Sequence, residues 1–207
     1  MLLKWKLSHV ARGAVIICLL VPVRLHAGVA LDQVRATADQ VLTILNDPKF
    51  DGTAGREKQR DELRQAIYPR FDFIEMSRRS LGATWRQIST AEQNDFVQLF
   101  TRLLEEAYLS NIQDFKGEKV LYIGDVQEPD HARVDSQIIS KRGESLAVNY
   151  SLHKVGEDWK VYDIVIENIS IVNNYRAQLS RLTGQLPFSE VLARIREKIP
   201  GGPGAVR

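Results

Sequence analysis

Past its first 27 residues the chain carries two histidines, His131 and His153, and no cysteine. Neither histidine stands at a metal-ligand spacing from another donor, so zinc-type sites lack their ligands. There is no Gly-x-Ser-x-Gly elbow and no glycine-rich phosphate loop, so serine hydrolase and nucleotide-binding chemistry lack their first residue. The adjacent carboxylates Glu105 and Glu106 fall on a helix face expected to be solvated. Asp163 interrupts an otherwise apolar run, and a carboxylate held in an apolar cavity can serve as a base of raised pKa. Strict alternation sets Asp163 with Trp159, Val161 and Val165, opposite Tyr162, Ile164 and Ile166. That strand alone leaves open which face is covered, and an enzyme using Asp163 stays as an alternative.

The elements that must position these residues come in two blocks. After Gly117 the apolar period is two, and residues 119–127, 132–140, 145–155 and 159–166 read as four strands joined by hairpin-length turns, an antiparallel meander. Leu146, Val148, Tyr150 and Leu152 alternate with Ala147, Asn149, Ser151 and His153, which predicts one covered and one wet face. Helices must supply the cover. Before the strands, Leu31, Val34, Ala38, Val41, Leu42 and Leu45 make one helical stripe that stops at Asn46-Asp47-Pro48. Residues 51–55 read as a loop, and 56–68 as a polar helix with Leu63, Ala66 and Ile67 inward and its charges solvated and internally paired. Residues 71–79 predict a short aromatic helix, and 81–88 a short segment around Trp85. Ser89 or Thr90 caps the longest helix, whose Phe96, Leu99, Phe100, Leu103, Leu104, Ala107 and Tyr108 form a face wider than one neighbour requires. After the strands, Ser170 caps a helix with Val172, Tyr175, Leu179 and Leu182 inward, ended by Gly184 as a left-handed cap. A last helix spans 187–198, and residues 200–207 read as a flexible tail.

Composition limits the function classes. The chain has 207 residues, 44% hydrophobic and 26% charged, enough for one domain with a real core. Four of the bases behind the formal net charge of +2 (Lys4, Lys6, Arg12 and Arg24) precede Gly28 with no acid among them, which leaves the remainder near −2. That balance argues against a nucleic-acid binder. Residues 1–27 read as a secretory signal peptide, with an apolar run at 13–23 too short for the ~20 residues of a membrane span, and with cleavage after Ala27 or Ala30. Cys18 would leave with it.

Two motifs carry a family resemblance. The first is WKVYDIVIENISIVNNYRAQL, in which Trp159, Lys160, Asp163, Glu167, Ile169, Ser170, Val172, Tyr175 and Arg176 stand in a recognisable order, with Asn168 where glycine is common. The second is FDFIEMSRRSLGATWRQIS, from Phe71 to Ser89, followed by a helix opening Thr90-Ala-Glu-Gln. Together they resemble the MlaC family, also called the toluene-tolerance family, of periplasmic phospholipid carriers in the lipid-asymmetry pathway. The resemblance implies an α+β fold akin to the nuclear-transport-factor-like cone: a four-stranded antiparallel sheet covered by helices that enclose an apolar pocket. It also implies a single lipid-binding domain over 28–199 (28–116 mainly helical, 117–167 sheet, 168–199 helices), located in the periplasm.

On that resemblance the residues expected to line the pocket are Phe73, Met76, Trp85, Phe96, Phe100, Leu104, Tyr108, Val148, Tyr150, Ile164, Ile166, Val172 and Tyr175, with Arg176 at the rim for a headgroup phosphate. Each has core packing as its rival. No catalytic residue, metal or cofactor is expected; phospholipid would be cargo. The implied partners are an inner-membrane ABC transporter complex and an outer-membrane lipoprotein complex. Hopanoid or another apolar small molecule on the same scaffold is the alternative cargo.

Overall fold

The alternating half of the sequence does form a sheet. The computed structural model describes residues 28–115 and 117–199, so the expected leader and tail lie outside the described residues. Strands β1 (Lys119–Gln127), β2 (His131–Ile139), β3 (Ser145–Val155) and β4 (Asp158–Ile166) pair antiparallel in sequence order. A fifth strand, β5 (Ile169–Ser170), makes the sheet five-stranded instead of four. It was illegible as a strand because it is two residues long. It exists because Glu167 and Asn168 both take positive φ, 46° and 65°, and fold Ile169 back onto Ile166.

Among the described residues six helices accompany the sheet: α1 (Val29–Leu45), α2 (Thr53–Ile67), α3 (Phe73–Leu81), α4 (Thr90–Gln113), α5 (Ile171–Thr183) and α6 (Phe188–Glu197). Short 3₁₀ turns at Pro48–Phe50, Tyr68–Arg70 and Gly82–Arg86 join the first four. Two local expectations fail here. The predicted loop at 51–55 is already helical from Thr53. Gly184 ends α5 at φ −78°, and the chain leaves through a turn in which Gln185 and Leu186 donate to Leu182 O, with no left-handed residue. The start of α4 follows its sequence: Ser89 and Glu92 exchange hydrogen bonds as a capping box. The start of α1 has no side-chain cap of its own, and β1 supplies one from across the molecule. Asp125 Oδ2 accepts from Gly28 N–H and Gln127 Oε1 from Ala30 N–H, both at 3.1 Å. Arg70 adds a further tie, donating to Trp159 O at 2.7 Å and to Gln33 Oε1 at 2.5 Å.

Register decides which residues face the helices. Residues directly opposite in an antiparallel pair share a face. Val148 pairs with Ile166, Tyr150 with Ile164 and Leu152 with Val161, and a bulge lies between the last two pairs. The extra residue in β4 reverses the alternation. Trp159 and Val161 therefore share the covered face with Ile164 and Ile166, and Asp163 lies on the other side. That corrects the strict alternation expected for this strand.

Helices cover the sheet in two places. At one end α1 packs Ala30, Leu31 and Val34 against Val134, Leu152, Trp159 and Val161. A second core joins α3, α4, α5 and α6 through Met76, Phe96, Phe100, Val172, Leu179 and Val191. A third holds the C-terminal part of α1, α2 and α4 together around Leu45, Phe50, Leu63 and Leu109.

Candidate functional site

The three cores do not close on one another. Between their edges lies a cavity of about 360 Å³ with almost wholly apolar walls. That is within the ~300–1,000 Å³ of small-molecule pockets. Its floor is the covered face of the sheet: Ile138, Leu146, Val148, Tyr150, Ile164 and Ile166. Its roof is the C-terminal half of α4, where Thr101, Leu104, Glu105, Tyr108, Leu109 and Ile112 recur at three- and four-residue steps. Ile67, Tyr68, Phe71 and Phe73, from the end of α2 to the start of α3, make one side wall, and Arg64, Phe115 and Ile171 complete the lining.

Seven of the thirteen residues expected at the pocket stand in its lining: Phe73, Leu104, Tyr108, Val148, Tyr150, Ile164 and Ile166. The other six do not. Phe96 and Phe100 are fully buried, stacked on each other at 5.3 Å, with Phe188 against the first and Tyr175 edge-on to the second. Met76 and Val172 are buried in the same helical core, and Trp85 packs against it from outside. The reason lies in α4, whose single stripe Phe96-Phe100-Leu104-Tyr108 packs against helices in its first half and opens onto the cavity in its second. Arg176 does not reach the cavity either and lines a separate surface hollow. Missed residues such as Ile67, Leu146 and Ile112 did carry a signal, because each continues an inward periodicity already read from its element, whereas Ile138 is placed by its register opposite Leu146.

The charged residues in the wall, with Tyr68, belong to one cluster that the sequence did not indicate. Arg60 Nε and Arg64 Nη2 donate to Glu105 Oε1 at 2.8 and 2.5 Å, and Tyr68 Oη donates to Glu105 Oε2 at 2.8 Å. Arg60 also pairs with Glu106, and Arg64 with Asp61. The Glu105 side chain is only 8% exposed, which corrects the solvated face expected for Glu105-Glu106. Arg60 and Arg64 likewise cross from α2 to α4 instead of pairing only along their own helix. Burial pushes the Glu105 carboxyl up, but the hydrogen bonds from Arg64, Tyr68 and Arg60 outweigh it and hold it at about 2. Burial first, and then the bond to Glu105, raise the Tyr68 phenol to about 12. The wall therefore keeps its charge compensated, and the cluster clasps α2 to α4 beside the cavity.

Asp163 is buried but does not line the cavity. Its Oδ2 accepts from Ser170 Oγ at 2.5 Å and its Oδ1 from Val172 N–H at 3.0 Å. Ser170 Oγ in turn accepts from Asn173 N–H at 3.0 Å. Asp163 thus holds the β4–α5 junction and serves as part of the N-terminal cap of α5. His153 Nε2 lies 3.0 Å from Asp72 Oδ2, and both histidines stand edge-on to Tyr162. Among the described residues no group of three His, Cys, Asp or Glu is arranged to hold a metal, and no helix is long and apolar enough to cross a membrane.

Comparison with known proteins bears on this fold. A family model described as MlaC protein matches residues 35–197. A solved structure, described as the phospholipid-binding protein from Ralstonia solanacearum in complex with a phospholipid, is 24% identical to the chain, with a TM-score of 0.73. It covers 82% of this chain and 96% of that chain. No curated protein matches the chain. At this identity the structural likeness establishes a shared fold, an antiparallel sheet clasped by helices.

Proposed function

The chain belongs to the MlaC family, and from that premise we propose that it is a phospholipid carrier. It holds acyl chains in the cavity between the sheet and α4, leaves the headgroup at the cavity mouth, and passes the lipid between membrane-bound complexes across the periplasm. The observation that carries this reading is the cavity itself: a folded chain of this size ordinarily packs its interior to near crystal density. A void walled by Ile, Leu, Val, Tyr and Phe is stable when an apolar guest fills it.

The energetics suit a carrier. Each methylene removed from water is worth ~0.8 kcal/mol, so some thirty methylenes in two chains would cost about 24 kcal/mol to carry naked through water. An apolar cavity cancels most of that cost, and transfer between bilayers becomes nearly neutral. Binding of this kind needs no nucleophile or base, and the clasped Glu105 and capped Asp163 have their oxygens engaged in structural bonds. The phospholipid named for the Ralstonia solanacearum structure supports the same cargo class here.

Mass spectrometry of the organic extract from protein purified without detergent tests this. A phospholipid near one per chain is the expected result. Hopanoid or another apolar molecule at that stoichiometry would keep the cavity as a carrier site and replace the cargo. A well-folded sample that is empty and takes up no added lipid would overturn the proposal.

A further inference from the structure

On the outer side of α3 and α5, away from the cavity, a surface hollow of about 280 Å³ is lined by Arg78, Arg79, Gly82, Trp85, Arg86 and Arg176. Four arginines line one small concavity. Glu75 compensates part of this charge, accepting from Arg78 Nε at 2.6 Å and Nη2 at 2.5 Å, and from Arg79 Nε at 2.7 Å. Asp72, the other nearby acid, caps α3 and is engaged with His153. The Arg79 guanidinium also lies 4.0 Å from the centre of the Tyr162 ring. Arg86 and Arg176 are exposed and carry no ion pair among the described residues. Even with both acids counted, the hollow keeps a surplus of positive charge.

The backbone is shaped around one of these arginines. Gly82 sits at φ 58°, ψ −122°, a conformation that side chains with a Cβ rarely adopt. A Cβ there would stand 3.2 Å from both Nε and Nη2 of Arg176. The glycine thus both makes the turn after α3 and leaves room for the Arg176 guanidinium beside it. Guanidinium forks that converge without enough carboxylates are matched by a tetrahedral oxyanion, whose several oxygens accept from more than one fork at once.

We propose that this hollow binds a phosphate group, with Arg86 and Arg176 as its principal donors and Arg78 and Arg79 as its charged walls. The site is independent of what fills the cavity. The phosphate comes either from a lipid headgroup at a bilayer surface or from a free phosphate compound, and the chemistry of recognition is the same.

Two probes applied to the full folded chain separate the sources. One is inorganic pyrophosphate, titrated while amide shifts are followed by NMR. The other is sedimentation with vesicles of phosphatidylcholine alone or with added phosphatidylglycerol. The variants are the double change Arg86→Ala/Arg176→Ala, Arg176→Lys, and Arg133→Ala as a control on the sheet. Pyrophosphate shifts at 78–86 and 176, lost in the double variant, assign the site to free phosphate. Sedimentation that requires phosphatidylglycerol, and falls roughly thirtyfold in the double variant, assigns it to a lipid surface. In either case Arg176→Lys falls between, because it keeps the charge and loses the fork, and Arg133→Ala behaves as wild type. The proposal is overturned if the folded double variant matches wild type with both probes. It is also overturned if neither probe binds while an acidic polypeptide such as polyglutamate does.

Discussion

At the scale of single residues, a few apolar side chains face the cavity and a few polar ones hold its wall. Val148→Glu and Ile164→Glu each set a carboxylate on the cavity floor, and both variants should fold yet lose lipid from a detergent-free extract. A folded Ile164→Glu protein that keeps its lipid would remove that residue from the site. Glu105 makes a different prediction, about stability. Removing a buried acid that two arginines share costs about 3–5 kcal/mol, so Glu105→Ala should lower the urea midpoint markedly. The sign of the pH effect follows from a carboxyl held at about 2 in the folded chain against ~4.3 unfolded. Its stabilisation is complete above the unfolded value and drains away as pH falls toward the folded one. Wild type should therefore lose more stability between pH 6 and pH 3 than Glu105→Gln, read from the two sets of urea curves; equal losses would show that the clasp contributes nothing. None of this was legible in the sequence. Glu105 and Glu106 look like any exposed pair until α2 is packed beside them, whereas Val148 and Tyr150 were legible from alternation alone.

At the scale of elements, sequence periodicity located faces well but could not say what each face meets. The stripe of α4 is continuous, yet Phe96 and Phe100 serve the core shared with α6 and α5 while Leu104 and Tyr108 serve the cavity. Phe100→Ala should accordingly cost about 3–5 kcal/mol of stability, measured by thermal or urea unfolding, while the folded fraction still retains lipid. Loss of lipid without loss of stability would place Phe100 at the site after all. In β4 the difficulty was a single inserted residue. A bulge leaves no mark on hydrophobicity, so alternation grouped Asp163 with Trp159 and Val161, and only pairing with β3 revealed the shift. The junction that follows was clearer, since Ser170 and the polar Glu167-Asn168 pair announced a turn and a cap. Ser170→Ala should cost about 1 kcal/mol, because that hydroxyl both caps α5 and donates to Asp163.

At the scale of the whole molecule, the α+β architecture and the family were legible because two motifs stand far apart in the chain and in order. The cavity was not legible from the residues. It exists because three helical and sheet cores meet edge to edge without filling the space between them, a property of packing that no single segment encodes. The carrier reading rests on that space, so the most direct measurement is lipid transfer in a two-vesicle assay, with fluorescent phospholipid in donor vesicles and unlabelled acceptors. A carrier accelerates transfer in proportion to its concentration, and folded Ile164→Glu does not. Transfer no faster than without protein, or equally fast with the variant, would contradict the carrier reading.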